Sequence, residues 1–301
     1  MKKFTIIIES NCDLPDEYIA QHDIKTIPMP FDLDGVTHDQ GRWQEITAGD
    51  FYDTLRRGGV AKTTLINPET FLTEYTKYAE KSEDAMVFAI SRGLSSTYQN
   101  SLIALDEIKQ SYPDCGIFSI DTVSASSGIG LLVMMAVKKR DEGLSAAETA
   151  AWIDEHKDSI IGLFTVDDLM YLHRGGRLSK LSAIAGSMLG IKPVLNLAPD
   201  GTLALKDKVR GRKSAFEMMV KRMKETVDPN AELGIAKISH TDCENDAKIL
   251  AEMVKAETGY EVVITMMGPI VGAHLGPGAV TLIYEAGMTR DEYENKFYGK
   301  K

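Results

Sequence analysis

AMVFAISRGLSSTY, residues 85–98, is the stretch that decides the fold class of this chain. Its first six residues are apolar with no polar alternation, which predicts a strand buried on both faces. Glycine and hydroxyl-bearing residues follow, and a helical pattern begins near Tyr98. Ser95 or Ser96 is therefore predicted at or near the helix N-cap, where free backbone N–H groups and the helix dipole favour an anion. A role in helix capping alone explains these serines equally well.

Short apolar runs alternate with longer helical patterns on both sides of this stretch. Strands separated by helices of about 10–15 residues predict parallel sheets covered on both faces. Pro199-Asp200-Gly201-Thr202 is typical of a hairpin turn, so the later sheet is predicted to be mixed. The candidate strands are Phe4–Ile8, Lys25–Phe31, Ala85–Ile90, Gly116–Ile120, Ile161–Val166, Pro193–Leu197, Leu233–Ser239, Tyr260–Met266 and Ala279–Tyr284.

Together these patterns predict an α/β protein of two α/β domains. Residues 1–160 are predicted to form an N-terminal domain with a mainly parallel sheet and helices on both faces. Residues 161–285 are predicted to form a C-terminal domain with a mixed sheet, and residues 286–301 a helical or frayed tail. Helix starts are marked by Asn67-Pro68-Glu69 and by the capping box of Ser145 and Glu148, while Gly143 marks a helix end.

Composition narrows the classes of function. A formal net charge of -10 argues against nucleic acid or an anionic membrane as the main partner, because both repel an acidic protein. Three widely spaced cysteines without a CxxC pattern favour a reducing compartment. The first residues lead into an apolar strand without a signal-peptide pattern, and no run approaches the roughly 20 apolar residues of a membrane span. We therefore expect a cytoplasmic protein.

Several catalytic patterns are absent from the sequence. There is no Walker A loop, GxSxG elbow, HExxH or CxxC, and Gly128-Ile129-Gly130 matches only half of a dinucleotide fingerprint. The six histidines are scattered, and no two of them are four residues apart. We expect no metal, no cofactor and no catalytic residues.

A glycine- and proline-rich stretch, Gly268–Gly278, holds the lone His274. Its four glycines and two prolines predict a rigid loop that is neither helix nor strand and that passes close to a ligand or another backbone. A tight structural turn with an incidental histidine is the alternative.

Four other segments carry candidate binding groups. Lys62-Thr63-Thr64 suits a carboxylate or phosphate, and Asp168–Ser179 contains a double glycine flanked by two arginines that can bind an anion or join the domains. In Ser239-His240-Thr241-Asp242, a helix cap at Thr241 or Asp242 is preferred to a ligand role for His240. The basic segment Lys206–Lys213 indicates a solvated helix start or a docking surface for an acidic partner.

In these motifs and their order, the chain resembles the DegV family of bacterial fatty-acid-binding proteins, from the first strand to about residue 285. The motifs that carry the resemblance are Glu9-Ser10-Asn11-Cys12-Asp13-Leu14-Pro15, Lys62-Thr63-Thr64, Ser91–Tyr98, Asp121-Thr122-Val123-Ser124-Ala125-Ser126, Asp168–Ser179, Gly190-Ile191-Lys192-Pro193, Ser239-His240-Thr241 and Gly268–Gly278.

The resemblance implies that one long-chain fatty acid is enclosed between the two domains. Some members present its carboxylate to an ATP-dependent fatty acid kinase subunit, which forms an acyl phosphate. The family's carboxylate-binding residues correspond to Thr63 and Ser95, and two further functional positions correspond to His274 and Arg174. His274 is expected to join Thr63 and Ser95 in binding the carboxylate. The secondary or pocket-mouth residues are then Thr64, Arg92, Ser96, Thr97, Arg174, Gly272 and Ala273.

The sequence departs from the family pattern at a few positions. Glu9 and Asn11 replace the usual Asp and Ser/Thr of the first loop, while Leu65 and Arg92 change residues at the expected mouth of the pocket. An apolar tunnel is expected from the helical stretches Ser126–Val137 and Leu181–Ile191, whose flexible methionines are Met134, Met135 and Met188.

Three hypotheses of function follow. The first is a carrier without catalytic activity, whose kinase partner docks near the pocket mouth through Lys206, Lys208, Arg210 and Arg212. The second is an enzyme or phosphotransfer component similar to dihydroxyacetone kinases, in which His274 acts on a small carbonyl substrate. The third is a scaffold or regulatory protein that holds lipid as a structural filler.

Overall fold

A parallel four-stranded sheet organises the first half of the chain. The structure, a computed structural model, describes residues 4–177 and 190–299. The strand order is β2-β1-β6-β7 and all neighbours are parallel, as predicted. The strands are β1 (Thr5–Glu9), β2 (Lys25–Ile27), β6 (Ala85–Ala89) and β7 (Ile117–Asp121).

Helices cover both faces of this sheet. Ile7 and Val87 pack against α3 and α4, whereas Ile8 and Phe88 pack on the opposite face against α5 and α6. Asn67 caps α3, the Ser145–Glu148 capping box begins α6, and Gly143 ends α5 in the left-handed conformation, as predicted. The helices are α1 (Asp16–Gln21), α2 (Ala48–Arg56), α3 (Pro68–Ala79), α4 (Thr97–Ser111), α5 (Ser127–Glu142) and α6 (Ala146–His156), followed by a 3-10 turn (Lys157–Ser159).

A small antiparallel sheet, absent from the sequence prediction, holds the first hydroxyl loop. It consists of β3 (Phe31–Leu33), β4 (Val36–His38) and β5 (Ala61–Thr63), in the order β4-β3-β5. The predicted strand Lys25–Phe31 is split between two sheets. Pro28 and Pro30 explain the break, since proline has no N–H to donate to a sheet. Pairing with Phe31 fixes Thr63 at the end of β5.

The second half of the chain forms a six-stranded mixed sheet, as predicted. Its order is β10-β9-β8-β13-β11-β12, with β11 and β12 parallel and the other pairs antiparallel. Gly201, at φ +77°, lies in the predicted hairpin turn between β9 and β10. The strands are β8 (Ile160–Thr165), β9 (Ile191–Leu197), β10 (Leu203–Arg210), β11 (Ile235–His240), β12 (Glu261–Met266) and β13 (Val280–Glu285).

Two local predictions in this half were wrong. The basic segment begins as strand β10 rather than as a helix, because the hairpin pairs it with β9 and the helix starts only at Arg212. The glycine-rich stretch contains a helix, α10, because Pro269 occupies its first turn and Gly276 ends it. The helices are α7 (Met170–Arg174), α8 (Arg212–Lys224), α9 (Glu244–Thr258), α10 (Pro269–Leu275) and α11 (Arg290–Tyr298).

The two halves share part of their core. Ile160 and Ile283 of the mixed sheet belong to the same apolar cluster as Ile129 and Leu132 of α5. The division into domains at residue 160 stays a prediction, although the mixed sheet begins at Ile160. In the part of the chain that the structure describes, no helix has the length and apolar character needed to cross a membrane.

Candidate functional site

An apolar cavity lies between the elements of the two halves and opens to solvent, with about 980 Å³ of empty space when its open side is included. Residues of the first half face residues of the mixed sheet and α10 across it. Its apolar lining consists of Met29, Leu65, Ile90, Leu94, Ala125, Gly162, Phe164, Leu172, Leu197, Leu203, Met267, Ile270, Val271, Leu275 and Ile283. Its polar lining consists of Thr63, Ser95, Ser126, Arg177, His274 and Thr281.

Thr63 and His274 meet at this cavity. The Thr63 Oγ1 and His274 Nε2 atoms are 2.9 Å apart. Thr63 ends β5, whereas His274 lies in the last turn of α10, so the imidazole projects from a helix rather than from the predicted loop. Gly175 allows this position, because a Cβ atom built there would lie 2.3 Å from His274 Nδ1. The structure therefore brings together two residues that the sequence singled out independently.

His274 is neutral at physiological pH. Burial is the larger cause and the nearby positive charge of Arg177 the smaller one, and together they lower the pKa of its imidazole to about 4. A neutral imidazole carries one N–H donor and one acceptor, so it can share a hydrogen bond with Thr63 and still offer a group to a ligand. The positive charge that an anion meets here comes from Arg177.

Ser95 also lines the cavity, just before the N-terminus of α4. Its Oγ accepts a hydrogen bond from the backbone N–H of Thr97 at 3.2 Å and lies 2.8 Å from Thr97 Oγ1. The N-cap residue is Ser96, which makes no side-chain capping bond. Ser95 thus shares in the helix start and faces the cavity at the same time.

The secondary residues are dispersed. Thr64 and Ser96 are exposed and do not line the cavity. Arg92 is exposed beside Asp121, with its Nε 3.3 Å from the carboxylate. Thr97 is buried behind Ser95, and Gly272 packs against Tyr52, since a Cβ atom there would lie 2.3 Å from the Tyr52 hydroxyl oxygen.

A second recess, which we call the basic mouth, adjoins the cavity and has about 750 Å³ of empty space when its open side is included. Thr63, Arg177 and His274 line both spaces, and the other lining residues are Gly59, Val60, Ala61, Lys62, Tyr171, Arg174, Gly175 and Ala273. Three cations and no acidic side chain occur among these lining residues. Arg174, the arginine expected from the sequence, lies 5.9 Å over the Tyr171 ring, outside the main cavity.

Arg177 is the functional candidate that the sequence reasoning missed. It lines both spaces and donates hydrogen bonds to the carbonyl oxygens of Leu94 (3.0 Å) and Gly175 (2.6 Å). Arg177 is the second arginine of the Asp168–Ser179 run. Spacing in the sequence alone does not show which of the two arginines, Arg174 or Arg177, reaches the cavity.

The apolar lining differs from the expected tunnel helices. Met134 and Met135 pack in the core of the first half, and Met29 and Met267 supply the methionines of the cavity. Of the stretch Leu181–Ile191, residues 181–189, including Met188, lie outside the described residues, as do Leu178 and Ser179.

The expected docking residues divide into two pairs. Lys206 forms an ion pair with Glu294 at 2.5 Å, and Arg212 contacts the carboxylates of Asp167 (3.1 Å) and Asp246 (2.9 Å). Lys208 and Arg210 are exposed, with no acidic partner among the described residues.

The segment around His240 has a structural role. Thr241 Oγ1 donates to the Gly276 carbonyl oxygen and accepts from the Ala279 N–H, both at 2.6 Å, so it holds the end of α10. The predicted cap at Thr241 or Asp242 was wrong, because Cys243 is the N-cap of α9. His240 Nδ1 accepts from the Cys243 N–H at 3.2 Å. In residues 4–177 and 190–299, no group of three or more metal-ligating side chains is found.

Comparison with protein families gives a match over nearly the whole chain. The family model described as "Uncharacterised protein, DegV family" matches residues 3–287. A DegV domain-containing protein of Clostridium perfringens is 35% identical over 286 residues, covering 94% of this chain and 98% of the relative.

Solved structures show the same architecture. A DegV lipid-binding protein from Thermotoga maritima is 27% identical with a TM-score of 0.81, covering 96% of this chain and all of that protein. A second Thermotoga maritima protein, whose structure revealed a fatty acid binding function, is 28% identical with a TM-score of 0.79, covering 95% and 100% of the two chains.

Proposed function

This chain belongs to the DegV family, and on that premise we propose that it is a cytoplasmic carrier that binds one long-chain fatty acid in the cavity. The observation that carries the proposal is an apolar cavity whose polar residues Thr63, Arg177 and His274 lie where it adjoins the basic mouth. Ligand sites of this kind combine a mostly apolar lining with a few polar groups that fix orientation. A fatty acid has the same division between a long apolar chain and one charged end.

Thr63, Ser95 and His274 are the proposed carboxylate-binding residues. The hydrogen bond between Thr63 and His274 uses one proton of that pair, so the pair and the Ser95 hydroxyl together offer two donors to a carboxylate, which accepts up to four. Hydrogen bonds to a charged acceptor are about twice as strong as those between neutral groups. Arg177 supports this role for the site, since its charge is not neutralised by an acidic side chain of the basic mouth.

We also infer that a kinase partner phosphorylates the bound carboxylate through the basic mouth. In such a step a carboxylate oxygen bonds to the γ-phosphorus of ATP, the bond to the bridging oxygen breaks, and ADP leaves. Lys62, Arg174 and Arg177 suit the phosphoryl group that then occupies the opening, because cationic side chains stabilise its negative charge. The protein supplies the held substrate, and ATP belongs to the partner.

Mass spectrometry tests the carrier proposal. We expect protein purified from cells to carry one fatty acid per chain, detected under native conditions and identified after extraction. Thr63→Ala and Ser95→Ala should each lower the affinity for hexadecanoate about 10- to 100-fold, since a hydrogen bond to a charged group contributes about 1.5–3 kcal/mol.

Two exposed hydroxyl residues provide the controls. Thr73→Ala on α3 and Ser111→Ala on α4 remove the same kind of group away from the cavity, and should leave the affinity unchanged. Equal affinities for all four variants would remove the site assignment. Protein that is isolated empty and takes up no fatty acid in titrations would instead favour the small-carbonyl hypothesis for His274.

A further inference from the structure

Asp13 joins two parts of the cavity wall that are far apart in the sequence. It follows β1 and is buried, with 7% of its surface exposed. One carboxylate oxygen, Oδ1, accepts a hydrogen bond from the Gly268 N–H at 2.9 Å, and the other, Oδ2, accepts from the Ser126 hydroxyl. A single side chain therefore holds a residue of each half of the chain.

The bond to Gly268 holds the helix that carries His274. Gly268 is the N-cap residue of α10 and has no side chain with which to cap the helix itself. Asp13, 255 positions away, accepts from the N–H of Gly268 itself and so fixes the residue from which the helix starts. A carboxylate at this end is also favoured by the helix dipole. The neighbouring Met267 carbonyl oxygen accepts from the Tyr52 hydroxyl at 2.7 Å, which holds the same end of α10 from α2.

The bond to Ser126 holds a strained residue of the cavity wall. Ser126 is the N-cap of α5, lines the cavity and has φ +56° and ψ -130°, a conformation that residues with a side chain rarely adopt. Such a conformation persists only where the surroundings enforce it. Its hydroxyl makes no capping bond to α5 and is directed to Asp13 instead.

Charged side chains lie near Asp13 without forming an ion pair with it. Arg42 and Lys237 are close enough to favour its charged form, but within the described ranges Asp13 has no ion pair. Burial raises the pKa of Asp13, and the hydrogen bonds from Ser126 and Gly268 lower it. The charge of the buried carboxylate is therefore stabilised by its hydrogen bonds with Ser126 and Gly268, and these two bonds connect α5 with α10.

We propose that Asp13 is a positioning residue of the head-group site, which fixes α10 relative to Ser126 and so holds His274 Nε2 against Thr63 Oγ1. The inference rests on the fatty-acid site proposed above. It concerns a residue that lines neither the main cavity nor the basic mouth.

The test compares Asp13→Ala, Asp13→Asn and Ser126→Ala with the parent protein. The first readout is the pKa of His274 in lipid-free protein, followed by NMR. The second is the ratio of affinities for hexadecanoate and hexadecan-1-ol, two chains of equal length that differ in the head group. We expect Asp13→Ala to raise the His274 pKa by about one unit or more and to lower the ratio about tenfold.

The other variants separate positioning from general stability. Asp13→Asn keeps an acceptor for the Gly268 N–H, so its His274 pKa and its affinity ratio should lie close to those of the parent. Ser126→Ala removes one of the two hydrogen bonds, so its values should lie between those of the parent and those of Asp13→Ala. Asp106→Ala, an exposed residue of α4, serves as the control. If Asp13→Ala does not fold, Asp13→Asn and Ser126→Ala carry the comparison.

Two results have distinct meanings. Folded Asp13→Ala protein with an unchanged His274 pKa and an unchanged ratio would overturn the positioning role. A parent protein that binds both ligands equally would overturn the proposed fatty-acid site, while the His274 titration in lipid-free protein would still decide the role of Asp13.

Discussion

Glu9 is a buried acid at the end of β1, directly behind the cavity wall. Its side chain is fully buried, and Oε2 accepts hydrogen bonds from Asn11 Nδ2 (2.6 Å) and from the Ile90 N–H (3.0 Å). Within the described part of the chain, Oε1 has no partner. Burial raises the pKa of this carboxyl group to about 7, more than the two hydrogen bonds lower it. Glu9 therefore binds a proton more tightly in the folded protein than in the unfolded chain.

The raised pKa predicts that stability falls as pH rises. The folded state holds the proton between the unfolded value of 4.5 and about 7, so the stabilisation is present below this window and is lost across it. Between pH 5.5 and pH 8, the titration of this group should lower the free energy of unfolding by about 2 kcal/mol. Glu9→Gln should remove this component, which urea unfolding at the two pH values measures.

An exposed glutamate serves as the control for the urea unfolding measurement. Glu155→Gln on α6 removes one carboxylate from the surface and should keep the pH dependence of the parent. If the free energy of unfolding changed equally with pH in Glu9→Gln and in the parent, Glu9 would not titrate in this window.

Among the elements, α10 depends most on its glycines. Gly276 follows the helix with φ +70° and ψ 174°, and a Cβ atom there would lie 2.2 Å from the Tyr171 ring. The ring is held in place, because its hydroxyl donates to the Leu55 carbonyl oxygen at 2.9 Å. The end of α10 and the position of α7 are therefore coupled through one residue without a side chain.

Gly276→Ala should disturb both stability and lipid binding. The backbone strain alone costs about 1–3 kcal/mol, and the contact with Tyr171 must also displace α10 and His274. Gly259→Ala is the matched control, since Gly259 ends α9 at φ +73° with no atom within 4 Å of an added Cβ. We expect both variants to lose stability in urea unfolding and only Gly276→Ala to lose hexadecanoate affinity. Equal hexadecanoate affinities for Gly276→Ala and Gly259→Ala would contradict the coupling between α10 and α7.

Local sequence rules predicted the elements whose patterns are regular. The parallel strands, the caps at Asn67 and Ser145 and the hairpin at Gly201 all follow from nearest-neighbour preferences. The small sheet of β3, β4 and β5 was missed, because each of its strands has three residues, too few for a periodic pattern. The helix α10 was missed because glycine content disfavours a helix unless packing compensates, as Tyr52 does at Gly272.

The candidate site was predictable only in part. Thr63, Ser95 and His274 came from motifs in three separate segments, and the structure places all three at one cavity. Met29, Arg177 and Asp13 could not be placed at or beside the cavity, because their positions arise from contacts between residues far apart in the sequence. The ion pairs of Lys206 and Arg212 could not be predicted for the same reason, since their partners lie in distant segments, and docking through the basic segment stays a prediction.

At the scale of the whole molecule, the exposed cations of β10 carry the prediction for a kinase partner. Lys208→Glu combined with Arg210→Glu should slow acyl phosphate formation about tenfold at low salt, because complementary charge accelerates encounter. Lipid affinity should not change, and added salt should reduce the difference. The assay uses a fatty acid kinase subunit with lipid-loaded protein.

A second charge reversal controls for net charge. Lys81→Glu combined with Lys255→Glu changes the total charge equally at exposed positions outside β10. Equal rates for the two double variants would assign the effect to overall charge and would discard docking at β10.

The pairing of Thr63 with His274 has a consequence for the timing of synthesis. The two residues are 211 positions apart, and a ribosome adds about 5–20 residues per second, so His274 emerges roughly 10–40 s after Thr63. During that interval the nascent chain has two hydroxyl groups and no opposing wall. The proposed carboxylate-binding group is therefore incomplete until His274 has been synthesised.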